Sequence, residues 1–284
     1  MKSRIEVIES EIKSNSRFND IRKVLDIKLF TSLIHKWAAI LIFLIIWELA
    51  PLLGWINPLY IPPPTTIAVE MWNLTITGVL PIATLSTFAR VFAGIGIAII
   101  VALPLGYLLG GYFKNFEKVS NPVVKLLEQG NPLSLFHLFV LLVGLTELST
   151  IIVVYWAAQF PMLNNTTTAM KNVDPVLIKV GKVSGLNKFD LFWKILLPAS
   201  LPTVFTGIRL GVVFAFLILM GVEMMGMSSG VGLGYLIMTA QMATMIPRMW
   251  AGIVTMSLLC IAINYALLRL EKHFTKWKQD NSEI

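Results

Sequence analysis

The stretch that decides the fold is VDPVLIKVGKVSGLNKFDLFWKILLPASLP, Val173 to Pro202. It is the longest charge-bearing piece lying between two uncharged runs long enough to cross a bilayer. It also carries its own start and stop signals. Asp174 is placed to cap a helix, and Pro175 occupies the first helical position, where its missing N–H costs nothing. The spacing predicts a helix over Val176–Ser184, ended at Gly185 by a left-handed cap. Asn187, with Asp190 three residues on, opens a second helix at capping-box spacing. Phe189, Phe192, Trp193 and Leu196 give that helix an apolar stripe, and Pro198 and Pro202 are expected to end it. Two readings of this helix–turn–helix compete. One is a basic loop held by lipid headgroups; the other is a rigid docking element for a soluble partner.

The flanks settle the class of protein. Of 284 residues, 56% are hydrophobic and 14% charged, well below the roughly 25% charge of a soluble domain. Runs with few charges at 37–53, 87–111, 126–146, 148–168, 200–224 and 249–269 are each near the ~20 residues that span ~30 Å of hydrocarbon. The expectation is an all-α, polytopic membrane protein with six transmembrane helices, with a permease domain over 37–284. Residues 1–36 are too charged for a signal peptide. Ile21, Val24, Leu25 and Leu29 share a helical face there, which suits an amphipathic segment on anionic membrane lipid.

Lys and Arg fall on one side of this pattern. Residues 1–36 hold eight, 112–125 three, 165–198 five and 269–284 four, which sums to twenty; the stretches 54–80, 144–150 and 226–247 hold none. Both termini and the Val173–Pro202 element are therefore expected in the cytoplasm. The same segregation explains the net charge of +7 without nucleic acid. The single cysteine, Cys260, excludes an intrachain disulfide and any Cys-based metal site. There is no Gly-x4-Gly-Lys-Ser/Thr loop, no His-Glu-x-x-His and no Gly-x-Ser-x-Gly, so neither nucleotide hydrolysis nor hydrolase chemistry is encoded here.

Two further stretches stand out. Ile61-Pro-Pro-Pro64 is a stiff turn, after which Thr65 or Thr66 is placed to cap a short helix. Gly230, Gly232 and Gly234 precede a short apolar helix, Tyr235–Met245, which reads as a re-entrant segment; a phosphate-binding reading is weak without a preceding strand. Gly106-xxx-Gly110 and Gly207-xxx-Gly211 permit close helix contact, within the chain or between copies.

The Val173–Pro202 segment resembles the conserved cytoplasmic loop of ABC importer permeases, roughly Glu-Ala-Ala, three residues, Gly, then a hydrophobic helix ending in Leu-Pro. Gly185 matches the Gly, and Leu197-Pro198 falls at the expected distance. Lys179, Val180 and Gly181 stand where Glu, Ala and Ala are usual. Gly144-Leu-Thr-Glu-Leu-Ser149, Phe160-Pro161 with Asn164-Asn165-Thr166, Gly207-Ile-Arg-Leu210 and Ser228-Ser-Gly-Val-Gly-Leu-Gly-Tyr235 are similar to the nitrate/sulfonate/taurine branch. The resemblance implies a type I importer permease fold, two cytoplasmic ATPase subunits that bind ATP and Mg, a second permease copy, an external solute-binding protein, and a small anion or small organic compound as solute. It also implies ATPase coupling through Asp174, Pro175, Lys179, Gly181, Gly185, Leu186 and Asn187. Gly181 and Gly185, one turn apart, are expected to leave a low surface for the partner.

Polar residues inside spans are the remaining functional candidates. His137 stands where the branch usually has proline, midway in a span with Pro132 five residues before it, and is the best single candidate for the solute path. Gln159 is a second. Glu223 is assigned to an outer gate or to pairing with Arg90. Arg209 and Glu147 are read as structural anchors, and Glu48 and Asn264 as interhelical hydrogen-bond partners. A secondary transporter without an ATPase is the alternative of another class, and it lacks the internal repeat such folds carry.

Overall fold

A helix in hydrocarbon has to satisfy its own backbone, and prolines and glycines mark where that is renegotiated. The computed structural model describes residues 38–112, 114–226 and 230–274, with side chains 112–117 left aside. The amphipathic segment expected at 1–36 lies outside the described residues. The chain divides into residues 1–67 and 68–284.

In the first body, α1 (Ala38–Leu52) covers about 22 Å and ends before Gly54, whose φ is 73°. α2 (Pro64–Ile76) begins in this body, and Thr65 in its first turn is held by Glu48 of α1. The Glu48 carboxylate accepts from the Thr65 N–H at 3.1 Å and from the Thr65 hydroxyl at 2.6 Å. A carboxylate there also meets the positive end of the helix dipole.

The second body is built on α6 (Glu147–Lys171), packed between α3 (Val79–Tyr107) and α9 (Leu197–Met224). Glycines set the approach. A Cβ at Gly94 or Gly106 of α3 would lie 2.5 or 2.6 Å from Val154 or Thr166 of α6. On the other side, Gly207 and Gly211 of α9 face Asn165 and Met162, again under 3 Å. Both small-residue pairs therefore serve packing within the chain. Enclosed by protein, α6 tolerates polar groups that bond back to its own turn: Thr166 to the Met162 carbonyl at 2.7 Å and Asn165 to the Pro161 carbonyl at 2.8 Å.

Three helices among the described residues are long and apolar enough to cross a membrane: Val79–Gly111, Lys188–Met224 and Ile246–Phe274, the last being α11. The run expected to cross as one piece at 126–146 is broken. α4 (Lys114–Glu128) meets α5 (Pro132–Val143) at 89°; the two make a fourth span if counted together. The cause is local. Asn131 is extended, its side chain accepts from the Leu133 N–H at 3.0 Å, and Pro132 starts a new helix rather than bending an old one.

The break expected at Pro198 and Pro202 does not occur. After α7 (Pro175–Val183), α8 (Lys188–Leu191) continues through a π turn at Phe192–Leu196 into α9, one apolar helix of 37 residues. The Leu197 N–H reaches back five residues to Phe192. That wider turn relieves the clash between the Pro198 ring and the carbonyl four residues earlier. α10 (Leu233–Met242) is short and packs on α11 and α9.

Candidate functional site

Two built features sit at opposite ends of α6, about 36 Å apart by helix rise. At its N-terminal end is a buried charge network. Thr87 and Arg90, nearly one turn apart on α3, point to α9 and α6. Arg90 donates from Nη1 to Glu223 Oε1 at 2.6 Å, and from Nε and Nη2 to the two oxygens of Glu147 at 2.5 and 2.8 Å. The planar fork of arginine suits this double duty, which lysine lacks. Glu223 is fully buried and Arg90 is 3% exposed, while Glu147 is half exposed.

The glycine run completes the cradle around Glu223. The Gly234 N–H donates to Glu223 Oε2 at 2.8 Å. Thr87 Oγ1 accepts from the Leu233 N–H at 2.9 Å and donates to the Glu223 carboxylate at 3.0 Å. The first turn of α10 thus sits on a carboxylate, where free N–H groups and the dipole favour negative charge. Only glycine permits the approach: a Cβ at Gly232 would stand 2.5 Å from the Glu223 carboxyl carbon, and one at Gly234 would stand 2.6 Å from Glu223 Cβ. The glycine run does offer backbone donors to a negative group, and that group is the chain's own Glu223 rather than a phosphate. The Arg90–Glu223 pair was legible as an alternative to a gate. Thr87 was not singled out, although an unmatched intramembrane glutamate beside a Gly-x-Gly-x-Gly run is a signal that backbone donors are near.

At the other end of α6 the expected helix–turn–helix is present as α7 and α8. Asp174 Oδ1 accepts from the Val176 N–H at 2.8 Å, and Asn187 Oδ1 accepts from the Asp190 N–H at 2.7 Å. Gly185 has φ 78°. Its N–H bonds the Lys182 carbonyl and the Leu186 N–H bonds the Gly181 carbonyl, both at 3.1 Å, a Schellman closure. Asp190 does not complete a capping box; it pairs with Lys194 at 3.0 Å.

Gly181 departs from expectation. It is buried and faces inward, where an added Cβ would meet Ile195 at 2.5 Å, Leu191 at 2.6 Å and Leu186 at 3.5 Å. Its smallness lets α7 lie on the helix that follows, not a partner on α7. The outward surface is mixed: Val176, Leu177, Val180, Val183, Phe189 and Trp193 are 59, 44, 56, 89, 69 and 52% exposed. Lys179, Lys182, Lys188 and Lys194 are exposed among them.

The remaining candidates are dispersed. His137 is exposed on α5, its Nδ1 3.3 Å from the Leu133 carbonyl, and Gln159 is half-buried midway along α6. Neither joins the Arg90–Glu223 network. Arg209 is tied to Glu271 of α11 at 2.8 Å.

The model of the family described as "Binding-protein-dependent transport system inner membrane component" matches residues 94–276. A putative ABC transporter permease protein of Methanocaldococcus jannaschii is 29% identical, over 91% of this chain and 97% of its own length. A putative aliphatic sulfonates transport permease protein of Bacillus subtilis is 30% identical, over 84% of this chain and 85% of its own. Among solved structures, an inward-facing form of a methionine ABC transporter overlays with a TM-score of 0.59, covering 67% of this chain and 94% of that one at 18% identity. That last likeness speaks to fold alone.

Proposed function

The chain belongs to the binding-protein-dependent transport system inner membrane components, the permease subunits of ABC importers, and from that premise we propose how it is assembled and driven. It crosses the membrane six times with both termini in the cytoplasm. It pairs with a second permease copy, with two ATPase subunits that hold ATP and Mg, and with an external solute-binding protein. ATP-driven closure of the ATPases is passed through α7 and α8 to the long α8–α9 helix, and the solute pathway changes its access.

The observation that carries this reading is the α7–α8 element: capped at both ends, internally packed at Gly181, and presenting exposed apolar side chains that continue onto Trp193 of the π turn. A rigid element whose exposed lysines are interleaved with exposed apolar side chains fits a protein partner better than a headgroup-bound loop. The twenty Lys and Arg gathered on one side support the orientation. On family grounds the solute is a sulfonate- or nitrate-like anion or a small organic compound. Co-expression with a candidate ABC ATPase tests the core of the reading. The permease should purify with the ATPase and support ATP-dependent uptake in proteoliposomes given the binding protein. Uptake without any ATPase would replace it with a secondary transporter.

A further inference from the structure

Midway along α6 lies a cavity of about 490 Å³, walled by α6 and α9 and floored by the corner between α4 and α5. The corner explains itself there: Gly130 and Pro132 both line the cavity, and non-helical backbone at membrane depth persists where it faces a cavity. Its walls are aromatic. Trp156 and Phe160 stand edge to face at 5.4 Å, and Phe214 lines the α9 side. The indole N–H of Trp156 is enclosed and has no acceptor among the described residues. Pro161 has no N–H to give the Ala157 carbonyl, and both residues line the same wall.

Charge decides what such a cavity admits. Among the described residues that line it, Glu128 alone is charged. Its carboxylate accepts from Asn164 Nδ2 at 2.9 Å and keeps free lone pairs, while Asn165 gives one of its two amide hydrogens to the Pro161 carbonyl. With the carboxylate, both amide oxygens and the Ala157 carbonyl, acceptor sites outnumber the spare N–H groups, and no lysine or arginine is among the described residues that line the cavity. Glu128 is exposed at the cavity's edge, where its charge repels a free anion and draws a cation or a hydrogen-bond donor. Flat aromatic faces reward a planar ligand, more so a cationic one.

We propose that this cavity is the mid-membrane solute site and that it takes a small planar molecule, neutral or positively charged, which donates hydrogen bonds to Glu128 and rests on Trp156. This deepens the importer reading and rests on it, selecting the small organic compound over the simple anion.

Two probes of like shape and opposite charge separate the possibilities: benzamidinium and benzenesulfonate, titrated by tryptophan fluorescence into the purified permease–ATPase complex in nanodiscs without ATP. Benzamidinium should bind at least about tenfold more tightly. Glu128→Gln should abolish most of that preference, and Trp156→Leu should weaken benzamidinium several-fold, with unchanged assembly as judged by ATPase co-elution. Equal or tighter binding of benzenesulfonate overturns the proposal, as does a preference that survives Glu128→Gln, or failure of both probes to bind. In each of those outcomes an intact ATP-hydrolysing complex leaves the importer reading standing; a permease that carries no ATPase removes that reading instead.

Discussion

The two ends of α6 use polar chemistry in opposite ways. At the N-terminal end, charge is buried and spent within the chain: Arg90, Glu147, Glu223, Thr87 and the first turn of α10 satisfy one another. At the C-terminal end, polar caps fold α7 and α8 upon themselves while apolar side chains face outward. One end closes the molecule and the other leaves it open to a partner. The difference teaches where substitutions should act on stability and where on transport alone.

The largest effect is expected from splitting the network. Glu223→Ala removes one carboxylate partner of buried Arg90 and the acceptor of Thr87 and the Gly234 N–H, leaving the bidentate pair with Glu147, so the loss should approach the roughly 3–5 kcal/mol of a broken buried pair. The expected outcome is a sharp fall in folded protein on size-exclusion chromatography and a lower melting temperature in detergent. A double change, Arg90→Leu with Glu223→Leu, should recover part of the loss, because no lone buried charge remains. If Glu223→Ala folds and melts like the parent, the network is not a strut.

Gly234→Val attacks the same contact from the backbone side. Its branched side chain must displace Glu223 Cβ and the Met220 carbonyl, 2.6 and 2.9 Å from an added Cβ. Overpacking of this kind costs about 1–3 kcal/mol, so the melting temperature should fall by less than for Glu223→Ala. A larger fall would mean that the lie of α10 matters more than the charge pair beneath it.

At the other end the expectation inverts. Val180→Asp and Val183→Asp change solvent-facing positions, so the permease should fold and melt within about 0.5 kcal/mol of the parent. Solute-stimulated ATP hydrolysis should drop severalfold and the ATPase should co-purify poorly. Full ATPase activity in the double variant would remove this surface as the docking face. Gly181→Ala is a finer probe. Its Cβ crowds the ends of the flexible Leu191 and Ile195 side chains and touches Leu186 at an ordinary distance, so the cost should be near ~1 kcal/mol, with coupling retained.

Much of the architecture was legible in particular residues. Asp174, Pro175, Gly185 and Asn187 gave the helix–turn–helix because caps are local chemistry. The lysine and arginine segregation supplies the orientation offered in the proposed function. What escaped the sequence was non-local. The π turn before Pro198 depends on a helix holding its course through tertiary packing. The inward face of Gly181 depends on where the following helix folds back. Thr87 is one threonine among many until α10 lies across it. The α4–α5 corner is the exception: Asn131-Pro132 is a local turn signal, masked by the apolar runs on either side.

The smallest expected effect concerns His137, read from the sequence as the best contact for solute. It stands on the exposed face of α5 among Leu138, Leu141 and Leu142, themselves 47, 81 and 70% exposed. Its Nδ1 lies near the Leu133 carbonyl of its own helix, so the ring can satisfy one nitrogen without any partner from another element. It does not line the cavity that holds Glu128 and Trp156. On this geometry His137→Ala should leave folding intact and lower uptake by no more than about twofold, an effect under 0.5 kcal/mol, measured as initial rates in proteoliposomes. A tenfold loss of uptake with normal basal ATP hydrolysis would move the solute path onto the exposed face of α5. It would then place His137, rather than the α6 wall, at the centre of transport.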